Sequence, residues 1–250
     1  MRNHCHHSLS RRAFSLVEIS IVIVILALLI GGIVTGRSLI RAAELRSVMT
    51  DANSYIAAVG NFRTQYRYLP GDAPNAANYW STTSGNGNGL VEGDERFRFW
   101  QQLNLAGFVE KSLSGVTGGG GTNDFVMSGA TANIPDSRIQ LAGFGFYYAN
   151  IVTDGSTTFT ANMGNAFTFG RLGAADSGPP LNAVFTPVDA ATVDTKMDDG
   201  LPGLGKWVAT SIGGGNLGPS SGCASGSTGA ATYNVALSTT SCAFFIMSGY

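Results

Sequence analysis

Between Ile19 and Gly36 the chain carries eighteen consecutive residues without a charge. About 20 apolar residues suffice for a helix to cross the hydrocarbon core of a bilayer. A helix apolar on every side has to be covered by lipid or by protein, so this run constrains the fold more than any other segment. Arg2, Arg11 and Arg12 precede it, which puts the N-terminus in the cytoplasm and the residues after Arg37 outside. The competing reading is a secretory signal cut after Val34-Thr35-Gly36, but the run exceeds the usual 7–15 residues of such a core. One carboxylate, Glu18, interrupts the apolar stretch near its start.

Beyond the run, Leu45, Val48, Ala52, Tyr55, Val59, Phe62 and Tyr66 recur at spacings of three and four. That period is an amphipathic helix with one face to bury. It predicts one helix from about Phe14 to Tyr66, on the order of 80 Å long at 1.5 Å per residue, ended by Leu69-Pro70-Gly71. Gly31, Gly32, Gly36 and Gly60 are either weak points, at about 1 kcal/mol each relative to Ala, or close-packing contacts between helices.

Composition narrows the chemistry. Only 12% of residues are charged and 34 are glycine, which suits a loop-rich exported β protein. A net charge of −1 gives no electrostatic basis for specific nucleic-acid binding. His4, His6, His7 and Cys5 all lie in the first thirteen residues, together with three of the fifteen basic residues and no acid. Without that leader the chain has no histidine, and twelve basic residues stand against sixteen acidic ones. Imidazole catalysis and histidine-anchored zinc are then excluded. No enzyme motif remains, and the chain is expected not to be an enzyme.

The order Ala13-Phe14-Ser15-Leu16-Val17-Glu18, after a basic leader and before an apolar helix, resembles the processing signal of type IV prepilins and type II secretion pseudopilins. The resemblance implies that a prepilin peptidase cuts between Ala13 and Phe14 and N-methylates Phe14. The family usually has Gly where Ala13 stands. A carboxylate within a bilayer costs about 2.5–3.5 kcal/mol on insertion scales and calls for a partner. The family supplies one in the N-terminal amine of a neighbouring subunit, so Glu18 becomes an assembly residue; the alternative is a Glu18 resting at the headgroup boundary. No cofactor is required. The implied partners are other pilin subunits, the peptidase, an inner-membrane assembly platform, and the bilayer before assembly.

After Pro70 the text turns to loops. Ser84-Gly-Asn86-Gly-Asn88-Gly89-Leu90-Val91-Glu92-Gly93-Asp94-Glu95 follows the twelve-residue calcium-loop pattern, with oxygen ligands at positions one, three and five, Gly at six and Glu at twelve. Ser84, Asn86, Asn88, Leu90, Glu92 and Glu95 are its candidate ligands for Ca2+. A Gly/Asn turn leading into a helix N-terminus accounts for the same residues. From about Asp94 to Leu105, Phe97, Trp100 and Leu103 mark a short amphipathic helix.

Arg138 to Ile151 and Thr157 to Leu172 are expected strands, with Phe144, Phe146 and Tyr148 on one face as core or, alternatively, as an aromatic platform. Pro187 to Gly200 is expected to hold a short helix capped by Asp189. Its acids Asp194, Asp198 and Asp199 are either a solvated helix end or a second calcium site. Cys223 and Cys242 read as a disulfide in an exported chain, stapling a Gly/Ser/Thr loop to an expected closing strand, Ala243 to Met247, and the region they bound resembles the disulfide-bounded C-terminal region of type IV pilins.

The expected fold is therefore α+β and type IV pilin-like, a long N-terminal helix packed on an antiparallel β-sheet with long loops. Its parts are a leader (1–13), a membrane or filament-core helix (14–36), its amphipathic continuation (37–69) and a periplasmic or extracellular domain (70–250). The expected function is that of a filament subunit, first a single-pass inner-membrane precursor and then part of a surface filament. A pseudopilin of a secretion system and a membrane-anchored binding module are the alternatives.

Overall fold

The computed structural model describes residues 15–117, 125–149, 163–172, 178–210, 222–225 and 231–250. The leader and the Ala13–Phe14 bond lie outside them. The chain divides into two compact units, 1–43 and 44–250.

Helix α1 (Leu16–Tyr66) has 51 residues. In the first unit its side chains are exposed, Leu16, Ile30 and Val34 each by more than half, and none of its most apolar window is buried. Its hydroxyls stay within the helix: Ser20 Oγ donates to Val17 O, and Thr35 Oγ1 to Gly31 O. Hydroxyls satisfied in this way are compatible with an apolar surrounding. In the second unit the character of α1 changes. Leu45, Val48, Ala52, Val59 and Phe62 are buried, and Tyr55 and Tyr66 pack against them. The helix ends where Arg67 turns left-handed (φ 66°) while its N–H still reaches Arg63 O at 2.8 Å. Gly60 is a close-approach position within the domain, since a Cβ there would lie 2.9 Å from Tyr250 Oη.

The second unit is built on a four-stranded sheet in the order β1-β2-β6-β3, where β1 is Ala142–Ala149, β2 Gly164–Arg171, β3 Trp207–Thr210 and β6 Ala243–Met247. Every pair is antiparallel, so the chain's last strand lies inside the sheet. Period-two alternation sorts the residues into continuous rows. Phe146, Phe167, Ile246 and Trp207 form one row, and Phe144, Phe169, Phe244 and Ala209 the next. Both rows face helix α2 (Glu95–Leu105) and the buried stripe of α1.

Phe99 of α2 stacks on Phe146 at 3.8 Å, and Tyr55 of α1 meets Trp100 and Phe144 edge-on at 4.9 and 5.1 Å. Phe99, Trp100, Phe144, Phe146 and Phe167 are at most 1% exposed. Each such side chain contributes about 1.5–3 kcal/mol by leaving water. Phe144 and Phe146 are therefore core, while Tyr148, the third residue of that expected face, is half-buried. The opposite sheet face carries a smaller cluster around Phe245, Val208, Ala166 and Tyr147.

Two local expectations change. Residues before Ala142 turn instead of extending, because Leu141 is left-handed (φ 62°) and the Ala142 N–H bonds to Ile139 O. Helix α3 (Pro187–Met197) begins one turn earlier than expected. Its N-cap is Thr186, whose Oγ1 accepts from the Asp189 N–H at 3.2 Å; Pro187 at the first helical position has no N–H to satisfy. A two-stranded ribbon, β4 (Ala224–Ser225) with β5 (Thr232–Tyr233), completes the unit. Of the second expected strand, residues 157–162 lie outside the described residues, as do 118–122 of the glycine-rich loop.

Candidate functional site

Four places carry the chemistry that the sequence marks out. At the start of α1, Ser15 is the residue before the first turn and Glu18 stands three residues on. The Ser15 N–H donates to Glu18 Oε2 at 2.9 Å, and Ser15 Oγ accepts from the Val17 N–H at 3.4 Å. The Glu18 half is that of a Ser-x-x-Glu capping box, while the Ser15 hydroxyl caps the second helical N–H instead of the third. Glu18 therefore has a partner in its own chain, a donor left over by the helix end. The signal for it in the sequence is the S-L-V-E spacing of Ser15 and Glu18.

The second place is the 84–95 loop. Here the N–H groups of Gly87, Asn88 and Gly89 converge on the Asp72 carboxylate at 2.7, 3.1 and 2.9 Å. Asp72 is 1% exposed. Four of the six candidate ligands already accept hydrogen bonds from the chain. Asn86 Oδ1 accepts from Asn88 N–H, Asn88 Oδ1 from Leu90 N–H, and the two Glu95 oxygens from Asn86 and Glu92 N–H. Ser84 Oγ accepts from Ala77 N–H, while Glu92 is exposed.

The segment thus closes as a nest of N–H donors around a resident carboxylate. Burial raises the Glu95 carboxyl and the Asp72 charge raises it further, while the two N–H bonds pull the other way. Gly85 is required, because a Cβ there would lie 2.3 Å from the Asp72 backbone. Asn165 of β2 fastens the loop to the sheet, accepting from Val91 N–H and donating to Gly89 O. Asp72 was missed in the sequence because it lies outside the twelve-residue pattern.

The third place is the end of α3. Asp194, Asp198 and Asp199 each bring a carboxylate oxygen within 4.8 Å of the others. Asp194 is fully buried. Its Oδ2 accepts from Tyr233 Oη at 2.7 Å, and its Oδ1 has no hydrogen-bond partner. The Gly200 N–H favours the charged form without reaching Oδ1 in hydrogen-bond geometry. Burial, offset in part by Tyr233 and reinforced by Asp199 and Asp198, pushes Asp194 up to about 7.

The fourth place is a cleft of about 590 Å³ beside the buried half of α1. Asp51, Tyr55, Lys111, Asp136 and Arg138 line it, and Lys111 pairs with Asp136 at 2.5 Å. Ser47, also in the lining, donates its hydroxyl to Asp51 Oδ2 at 3.2 Å.

Cys223 and Cys242 are joined, with Cα atoms 5.1 Å apart, ordinary for a disulfide. The bond ties the strand pair β4-β5 to the head of β6. The processing residues Ala13 and Phe14 are outside the described residues.

At the level of architecture the chain is an α+β protein. A long apolar N-terminal helix, of a length that suits a membrane anchor or a signal, precedes an antiparallel sheet domain. Searches of family models, curated proteins and solved structures found no match.

Proposed function

We propose that this protein is a structural subunit of a type IV pilus-like filament, made as a single-pass inner-membrane precursor, cut by a prepilin peptidase between Ala13 and Phe14, and assembled through its N-terminal helix. The observation that carries this reading is α1 itself. Its first half exposes Leu, Ile and Val on every side, and the same helix continues into a stripe buried under a folded domain. Such a surface is unstable in water. Lipid covers it before assembly, and the equivalent helices of other subunits cover it afterwards. Gly31, Gly32 and Gly36 support the second state, since a Cβ at any of them would touch nothing in the chain and small residues let helices approach closely. The disulfide favours a pilus over a secretion pseudopilin.

Glu18 has two roles in this reading, the helix cap and the charge that meets the Phe14 amine of the next subunit. Two variants separate them. Glu18→Gln keeps an acceptor for the Ser15 N–H and loses the charge; Glu18→Ala loses both. Filament incorporation is measured in cells carrying the peptidase, with the mature N-terminus sequenced. The expected result is methylated Phe14 and loss of incorporation in both variants. A mature terminus at Arg37 would identify a cleaved secretory signal. Incorporation of Glu18→Gln at the native level would reduce Glu18 to a cap, native assembly of Glu18→Ala would remove its role in assembly altogether, and absence of the wild-type chain from filaments would leave a membrane-anchored module as the better description.

A further inference from the structure

We infer that the end of α3 is a binding site for a hard divalent cation of calcium size, held by Asp194, Asp198 and Asp199. The inference does not depend on the filament reading.

Three carboxylates clustered without a cation repel one another. No Lys or Arg forms an ion pair with any of them among the described residues. Clustering alone points to no ligand, but Asp194 adds a separate observation. It is a fully buried side chain whose Oδ1 has no partner. A buried carboxylate oxygen without a donor is costly, and a metal ion satisfies it.

The supporting shell is already in place. Each carboxylate has an oxygen held by a protein donor. Asp194 Oδ2 takes the Tyr233 hydroxyl at 2.7 Å. Asp198 Oδ2 takes the N–H groups of Lys206 and Trp207, and Asp199 Oδ1 takes the Leu201 N–H at 2.8 Å. Among the described residues the other oxygen of each has no protein hydrogen bond. Donors on one oxygen orient a ligating carboxylate and leave its second oxygen for the metal. Gly205 (φ 71°) lets the following loop close on Asp198, since a Cβ there would meet Asp198 Oδ2.

The chemistry selects the ion. All three ligands are hard oxygens, with no sulfur or imidazole to favour zinc or copper. Calcium binds oxygen at about 2.3–2.6 Å and so accepts ligand pairs up to about 5 Å apart, which spans the cluster as it stands; magnesium at about 2.1 Å would have to draw it together. The exposed side of Asp199 leaves room for water to fill the remaining positions.

The test uses the full chain in detergent, freed of metal by chelation. CaCl2 is titrated by calorimetry, and Tb3+ by luminescence excited through tyrosine, for which Tyr233 is placed as donor. Saturable binding of one ion per chain is expected, in the range of about 0.1–1 mM typical of extracellular sites. Asp198→Asn and Asp194→Asn are expected to weaken it at least about tenfold, whereas Glu95→Gln leaves it unchanged. Tyr233→Phe lowers the terbium signal and, by releasing the Asp194 oxygen that it holds, weakens calcium as well. No saturable binding up to about 10 mM, or loss in Glu95→Gln with retention in Asp198→Asn, would overturn the proposal. Magnesium competing at equal concentration would overturn the choice of calcium. If Asp194→Asn does not fold, the exposed Asp199→Asn decides, and an unchanged affinity there counts against the site.

Discussion

Asp72 and Asp194 are both carboxylates out of contact with water, 1% and 0% exposed, yet they are solved in opposite ways. Asp72 receives three backbone N–H groups from the Gly87–Gly89 turn. Asp194 receives one hydroxyl and leaves an oxygen bare. The first carboxylate replaces its lost water with protein donors, and the loop folds around it. The second keeps part of its desolvation cost and sits beside two more acids. Burial of a charge therefore says little by itself. The donor inventory around it separates a structural keystone from a site waiting for a counter-ion.

Removing the keystone should have the largest effect. Asp72→Ala takes the shared acceptor from three N–H groups of a part-buried turn, and hydrogen bonds to charged acceptors are worth about 1.5–3 kcal/mol each. Because such losses overlap, the expected destabilisation is about 3–5 kcal/mol, measured by denaturant unfolding of the full chain in detergent. A loss below about 1 kcal/mol would show that the turn holds its shape without the carboxylate, and the contrast with Asp194 would collapse.

The next effect lies at Asp194 and is read in pH with divalent ions chelated. Its carboxyl is held up to about 7 against an ordinary 3.8, so between these values the folded state binds more proton than the unfolded state. Stability then falls as pH rises from about 4 to about 7, by at most about 1.4 kcal/mol per unit. Asp194→Asn should flatten that slope, and added calcium should oppose it in the wild type. A wild-type curve that is flat or rises over this window would remove the strain assigned to the bare oxygen.

Much of the fold was legible because it rests on repeating patterns. The stripe from Leu45 to Tyr66 and the alternation of Phe144 and Phe146 each follow from one period, and both face the core. The 84–95 loop was legible as a turn but not in its chemistry. A pattern of oxygens and glycines fits a cation loop and an anion nest alike; what distinguishes them is whether backbone N–H groups or oxygens point inward. That depends on left-handed φ values at Gly87 and Gly89 and on Asp72, twelve residues before the first candidate ligand. The Asp194 cluster was visible as acids on one helix face. That one of them is fully buried was not, because its cover comes from Tyr233, distant in sequence. Thr186 was missed as a cap for a simpler reason: Asp189 is also a good capping residue, and Pro187 settles the choice only once the first turn is placed.

The smallest effect sharpens the comparison within the satisfied site. Glu95 is raised by burial first and by Asp72 as well, so its environment already opposes its charge. Glu95→Gln keeps the shape and one acceptor for the Asn86 N–H, giving up only the longer 3.3 Å contact from Glu92. Loss of that weak bond and relief from burying a charge oppose each other, and the net change is expected to be about 1 kcal/mol or less. The substitution also removes a pH dependence of known sign. A raised carboxyl favours the folded state at low pH and loses that advantage as pH rises through its folded pKa, so the variant's stability should decline less above pH 4.5. A loss as large as that of Asp72→Ala would mean that the two acids hold the nest jointly, and that the boundary between a keystone and its neighbour has been drawn in the wrong place.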